Sequence, residues 1–265
     1  MKFRFQRKFL CIPYFLFLIL FVIVPIIFIV YYAFTDADGY FTWSALVDFF
    51  TSINKLNVLL MSLMFSLLNT IICLIIGYPI AYILSNSKFN KNSMIVMLFV
   101  MPMWINFVLR TWATRDVLNW LNLGGGTHPY LATMIGLVYN YLPFVILPLY
   151  NVMLKLDKAQ IEAATDLGCN RIQVFTKSII PQSIPGVVSA SMMVFMPTMS
   201  SYVISDVLSE GKVVLFGNSI YLSFTNSQWN VGSFISLFML LLVGLSMLIT
   251  RNFTEKDESK EAAKW

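Results

Sequence analysis

His128 is the only histidine in the 265-residue chain, and Cys11, Cys73 and Cys169 are the only cysteines. His128 lies in Gly124-Gly125-Gly126-Thr127-His128-Pro129, a loop-forming sequence. A zinc site of the His-Glu-x-x-His kind needs two histidines, and the cysteines have neither metal-ligand nor disulfide spacing. The chain has no Gly-x-x-x-x-Gly-Lys-Ser/Thr loop to cradle the phosphates of ATP. The sequence thus supplies no catalytic candidate and no metal site, and a membrane-embedded enzyme has no home for its chemistry. Few groups remain that can meet a solute. Asp206 stands at the outer end of the fifth apolar run, beside Tyr202 and Ser205; Trp104, Asn106 and Arg110 share the third; Tyr139 and Tyr141 flank Asn140 in the fourth. Ionisable residues inside spans are rare and mark function by default. An autonomous ion-coupled carrier needs them at mid-depth, where these runs have almost none.

The elements that position these residues are set by composition. The chain is 58% hydrophobic and 12% charged, with mean hydropathy +0.75, against about 45–50% and about 25% for a soluble domain. These figures exclude a disordered chain, a nucleic-acid-binding domain and an ordinary soluble enzyme. Six apolar runs, about 9–34, 58–84, 94–112, 131–154, 184–205 and 231–249, approach the ~20 residues a membrane span requires. They lack period-2 alternation, so they are read as helices, which satisfy their own backbone in lipid. The first run is too long for a signal peptide and is read as an uncleaved span, with Pro13 and Pro25 as kink sites. The fold class is all-α: one polytopic domain over 1–265 with six transmembrane helices.

The net charge of +5 is a topology signal, because basic residues gather between the runs. With the N-terminus inside, the inner segments hold 14 of the 18 Lys and Arg: Lys2, Arg4, Arg7, Lys8, Lys88, Lys91, Lys155, Lys158, Arg171, Lys177, Arg251, Lys256, Lys260 and Lys264. The outer side holds Lys55, Arg110, Arg115 and Lys212, which is 4. This bias places both termini in the cytoplasm. The outer connections carry Trp43, Trp120 and Trp229, residues that favour the membrane interface, and the first is acidic through Asp36, Asp38 and Asp48. In the second run Gly77 and Ala81 suit close helix packing, and Gly77-Tyr78-Pro79 is a candidate kink. The tail after Arg251 reads as a short solvated segment.

The longest inner connection, 155–183, is structured. Asp157 can cap a helix, with Gln160 three residues on; Ala163 and Ala164 favour it, and Gly168 suits its end. Asn170 can cap a second helix to Ile180, before Pro181 and Pro185 interrupt the chain. A small-faced helix of this kind fits a groove on another protein or packs on its own bundle. Glu162-Ala163-Ala164-x-x-x-Gly168 followed by Pro181 resembles the Glu-Ala-Ala loop of binding-protein-dependent ABC importer permeases. Ser178 and Ile180 stand where that pattern has Ile and Leu. Pro102-x-Trp104-x-Asn106-x-x-x-Arg110, Gly136-Leu137-Val138-Tyr139, Leu142-Pro143-Phe144, Leu156-Asp157-Lys158, Ser205-Asp206-x-Leu208 and Gly217-Asn218 resemble the spermidine/putrescine permeases of the PotB type within that family. The likeness runs from about Leu67 to Arg251.

The resemblance implies a type I importer permease fold in a bacterial plasma (inner) membrane, and a non-catalytic transport subunit. It implies partners: a second six-span permease (PotC-like), two ATPase subunits (PotA-like), an extracytoplasmic polyamine-binding protein (PotD-like) and membrane lipid, with no nucleic acid. ATP and Mg would sit on the ATPase, leaving no cofactor in this chain. Glu162, Ala163, Ala164, Asp166, Gly168 and Pro181 would form the ATPase-coupling site. A polycation path needs carboxylates, acceptors and aromatic faces, which makes Trp104, Asn106, Tyr139, Tyr202 and Asp206 the path candidates. Their ordinary readings are helix packing, interface anchoring and, for Asp206, a helix end. Arg110 repels a polycation, so it is expected to pair with an acid or to help hold the binding protein. Ferric iron, thiamine, sulfate or an opine-like amine remain alternative solutes.

Overall fold

The computed structural model describes residues 11–36, 39–86 and 94–262. Lys2, Arg4, Arg7, Lys8, Lys88, Lys91, Lys264 and Asp38 lie outside them, as do the side chains of Cys11 and of the tail charges Arg251, Lys256 and Lys260. The described residues are helical, with one isolated antiparallel bridge between Thr35 and Phe41. Five helices are long and apolar enough to cross a membrane, and a sixth crossing is complete if one bent helix pair is a single span. The chain packs as two compact units, Met1–Asn57 with Ser219–Leu242, and Val58–Asn218 with Val243–Trp265.

In the first unit, α1 (Cys11–Leu18) and α2 (Val24–Ala33) join through a π-turn at Ile19–Ile23. Among residues 13–33 only Ala33 is buried, so this span offers its apolar surface to lipid or to another chain. A short amphipathic helix, α3 (Ser44–Thr51), turns Phe49 inward, where its ring lies 5.6 and 5.0 Å from those of Phe234 and Phe238. Trp43 meets the rings of Phe34 and Phe41 edge to face, and Lys55 pairs with Asp48.

The second unit carries the candidate residues. It is built on α4 (Ile53–Ser85), α7 (Pro129–Met153) and α10 (Ile180–Ser200). Cys73, Ala81, Val145, Ile146, Leu149, Ala190 and Val194 fill the seam between them. At Gly77 a Cβ would meet Val145 Cγ1 at 2.7 Å, so this glycine serves close helix packing, the commoner of the two readings offered by the sequence. Pro79 lies inside the unbroken α4. Polar side chains in the same seam find partners across it: Asn69 Nδ2 donates to Thr198 Oγ1 at 2.8 Å, and the Tyr141 hydroxyl donates to the Pro197 backbone carbonyl at 3.1 Å. A second core unites Phe65, Leu118, Ala132, Leu137, Ile204, Leu208 and Leu215.

Two span boundaries differ from the sequence reading. The third run is not one straight helix. α5 (Met94–Val100) tightens into a 3-10 turn, Met101–Trp104, and α6 (Phe107–Trp120) leaves at 94° to that first segment. Pro102 provides the local cause, since it lacks an N–H and favours the start of a turn. Ile105 is extended, and Asn106 then caps α6 by accepting from Val108 N–H at 2.9 Å. The fifth run begins earlier than expected. Pro181 and Pro185 do not interrupt it: α9 (Arg171–Val174), a π-turn at Phe175–Ile179 and α10 form one helical rod from Arg171 to Ser200. The π-turn closes with Ile180 N–H on the Phe175 carbonyl, so Pro181 opens a new α segment, where no N–H is required. Asp206 therefore lies beyond that span, on α11 (Val203–Ser209). α12 (Phe216–Thr225) precedes α13 (Trp229–Ala262), which carries the sixth run and continues through the tail as one helix.

Candidate functional site

The Glu-Ala-Ala segment forms α8 (Lys158–Asp166), which has no buried side chain. Asp157 caps it, its Oδ1 accepting from Ala159 N–H at 2.9 Å. Gln160 does not complete the box. The Asp157 N–H donates instead to Gln182 Oε1, 25 residues on, at 2.9 Å. Gly168 ends the helix with φ of +80°, in the left-handed region that favours glycine. Asn170 then caps α9 in a full capping box: Gln173 N–H donates to Asn170 Oδ1 at 2.8 Å, and Asn170 N–H to Gln173 Oε1 at 2.9 Å. Of the expected coupling residues, Glu162, Ala163, Asp166, Gly168 and Pro181 are exposed and Ala164 is half-buried. Leu167 and Ile172, 85% and 74% exposed, add bare apolar surface beside Gly168. The sequence reading did not single them out, although apolar residues on either side of a helix-ending glycine are visible in it.

The path candidates lie at the break in the third run, on α7, and at α11. Trp104 stands at the break and is 84% exposed. Asn106 is spent as the α6 cap. Tyr139, on α7, lies 5.5 Å beneath the Arg110 guanidinium. Tyr202 precedes α11 and Asp206 is exposed on it; α11 packs against α6 and α7. Arg110 itself is buried. Its Nε donates to Asn140 Oδ1 at 2.9 Å and its Nη1 to the Pro102 carbonyl at 2.7 Å. Among the described residues no carboxylate pairs with it: neutral oxygens and a ring face hold this charge. The acid pair nearby belongs to Arg115, whose Nη2 lies 3.5 Å from Glu210 Oε1.

On the connections that follow α6, α10 and α11, three features escaped the sequence reading. Lys212 Nζ donates to the Gly126 carbonyl at 2.6 Å, joining the glycine loop to the turn after α11. At Gly125 a Cβ would collide with the backbone of Leu208 and Ser209. At Gly217 it would collide with the Ser200 carbonyl. Paired glycines mark such approaches in a sequence, but not the segment that approaches.

No family model matches the chain. It is 33% identical over 252 residues to the spermidine/putrescine transport system permease protein PotB of Haemophilus influenzae, covering 88% of each chain. It is 34% identical over 207 residues to the protein of the same name in Escherichia coli, covering 72% of this chain and 75% of that one. The chain belongs to the PotB permease family. Its fold is also that of a bacterial ABC transporter involved in the import of the acidic polysaccharide alginate: TM-score 0.70 at 14% identity, with 94% of each chain covered. This PotB-family chain is accordingly a multi-pass inner-membrane permease of importer fold. In this PotB-family chain, the helix α8 and the bent third run are places where polar groups depart from plain helix packing.

Proposed function

We propose that this permease imports polyamines, of the spermidine/putrescine class, as one subunit of an ATP-driven importer. The carrying observation is α8: a capped, glycine-terminated helix with no buried side chain, presenting Glu162 and bare Leu167 on a loop between two spans. Two ATPase subunits (PotA-like) receive that helix and its counterpart on a second permease (PotC-like), and an extracytoplasmic binding protein (PotD-like) delivers the solute. Bound to the ATPase, ATP and Mg supply the driving reaction; this chain supplies the path and the docking helix and performs no catalysis. Both termini lie in the cytoplasm. Trp104, Tyr139, Tyr202 and Asp206 contribute aromatic faces and one carboxylate to a cation path. Arg110 shapes that path from inside the chain.

The test is uptake of labelled putrescine and spermidine in cells lacking this gene, complemented by variants. Wild type should restore uptake. Glu162→Lys reverses a charge at the docking face and should lower uptake by more than about tenfold. Asp206→Asn removes one cation contact and should lower it by about fivefold. If wild type restores no polyamine uptake although an ATPase subunit co-purifies with it, the solute assignment falls and the docking assignment stands.

A further inference from the structure

We propose that Gln182 is a positioning residue that fastens the docking helix α8 to the root of α10, so that displacement of α8 is passed to that span. The inference rests on the importer reading given above. A helix N-terminus leaves backbone N–H groups unsatisfied, and the usual remedy for the capping residue's own N–H is a side chain three residues on. Gln160 occupies that position and does not serve. Gln182, on the first turn of α10, accepts the bond from Asp157 N–H at 2.9 Å and donates through Nε2 to Ser178 Oγ at 3.2 Å, inside the π-turn. One side chain therefore spans three elements: the start of α8, the π-turn and α10.

The surroundings make this anchor stiff on one side and yielding on the other. The next residue, Ser183, is fully buried and shares a 2.7 Å hydrogen bond with the Tyr78 hydroxyl of α4. Phe175, which opens the π-turn, meets Tyr78 and Tyr82 edge-on at 5.8 and 5.5 Å. At Gly186 a Cβ would meet Val152 at 3.0 Å, so α10 and the end of α7 are in close contact one turn above Gln182. The root of α10 is thus packed on α4 and α7, whereas α8 is bare. π-turns are weaker segments that recur at functional positions. Besides the Gln182 bond, α8 meets the rest of the chain through the connection from α7, the Gly168 turn and packing on α9 and the π-turn, so the Gln182 bond is its hydrogen-bonded tie to the root of α10.

The experiment uses the assembled importer, both permeases with both ATPase subunits, reconstituted with its binding protein. It reads polyamine taken up per ATP hydrolysed, and hydrogen exchange over 157–166 by mass spectrometry. Gln182→Leu should leave the complex assembled, speed exchange at the start of α8 by about fivefold, the measure of one lost hydrogen bond, and lower uptake per ATP by a similar factor. Gln182→Glu keeps an acceptor for Asp157 N–H and should retain more than half of the wild-type ratio. Unchanged exchange in Gln182→Leu overturns the proposal. So does faster exchange with an unchanged uptake ratio, or equal failure of the Glu and Leu variants. A wild-type complex that assembles and hydrolyses ATP yet takes up no polyamine refutes the solute assignment instead. The exchange arm still judges Gln182 in that event.

Discussion

Arg110 is a full charge held inside a bundle by neutral oxygens. Burial of a lone cation is costly unless its donors are met, and a planar guanidinium meets two acceptors in different directions better than a point ammonium does. Here those acceptors are Asn140 Oδ1 on α7 and the Pro102 carbonyl at the break of the third run. Arg110→Met should therefore destabilise the permease by about 2–4 kcal/mol, because the buried Asn140 Oδ1 and the part-buried Pro102 carbonyl each lose a partner. Arg110→Lys should recover less than half of that loss. Thermal unfolding of the purified permease in detergent checks both, and a Lys variant as stable as wild type would show that charge alone matters. The sequence made Arg110 conspicuous but pointed to an acid partner. Charge marks a residue in a sequence, whereas an amide oxygen 30 residues away and a backbone carbonyl carry no mark. Asn106, a path candidate in the sequence, also caps α6.

Caps and breaks decide the elements. The cap at Asn170 was identified from the sequence because its logic is local; its partner Gln173, three residues on, follows the same rule but was not singled out. The opening of α8 was half legible, since Asp157 was identified and Gln182 was not; no local rule spans 25 residues. The third run read as a single span because hydropathy averages over the bend at Ile105 and Asn106, and the fifth was cut short because its prolines were read without the π-turn that accommodates them. Asn170→Ala should cost about 1 kcal/mol of local stability in α9, the usual loss for a cap. It should show as faster exchange over 170–176 with little change in global unfolding. A close approach behaves differently. Gly125→Ala forces a Cβ into the Leu208 carbonyl and must push apart the glycine loop and the turn after α11. We expect it to cost about 1–3 kcal/mol in thermal unfolding, whereas Gly211→Ala in that turn, where no atom lies within 4 Å, meets only the strain of its φ of +75°. Equal effects of the two substitutions would remove the packing argument.

At the scale of the whole molecule, sidedness follows from which charges are free. The sequence divides Lys and Arg 14 to 4 in favour of the side that bears the termini. The structure sharpens the imbalance, because all four minority cations are engaged within the chain: Lys55 with Asp48, Arg110 with Asn140 and Pro102, Arg115 with Glu210, and Lys212 with the Gly126 carbonyl. On the other side, Lys155, Lys158, Arg171 and Lys177 make no side-chain bond or ion pair among the described residues. Free cations resist transfer across the bilayer and are retained on the cytoplasmic face, so the loop 155–183 should lie there and the α6–α7 connection outside. Leu167 and Trp120, 85% and 83% exposed, make suitable reporters. With Cys11→Ser and Cys169→Ser as background, and the buried Cys73 retained, Trp120→Cys should react with a membrane-impermeant maleimide in intact cells, and Leu167→Cys only in inside-out vesicles. Adding the ATPase subunits to those vesicles should slow labelling at Leu167→Cys by more than about fivefold, since a docked apolar side chain is shielded. Labelling of Leu167→Cys in intact cells would reverse the topology and remove α8 from reach of any cytoplasmic ATPase. Cytoplasmic labelling unaffected by the ATPase would keep the topology and place the docking surface elsewhere on that face.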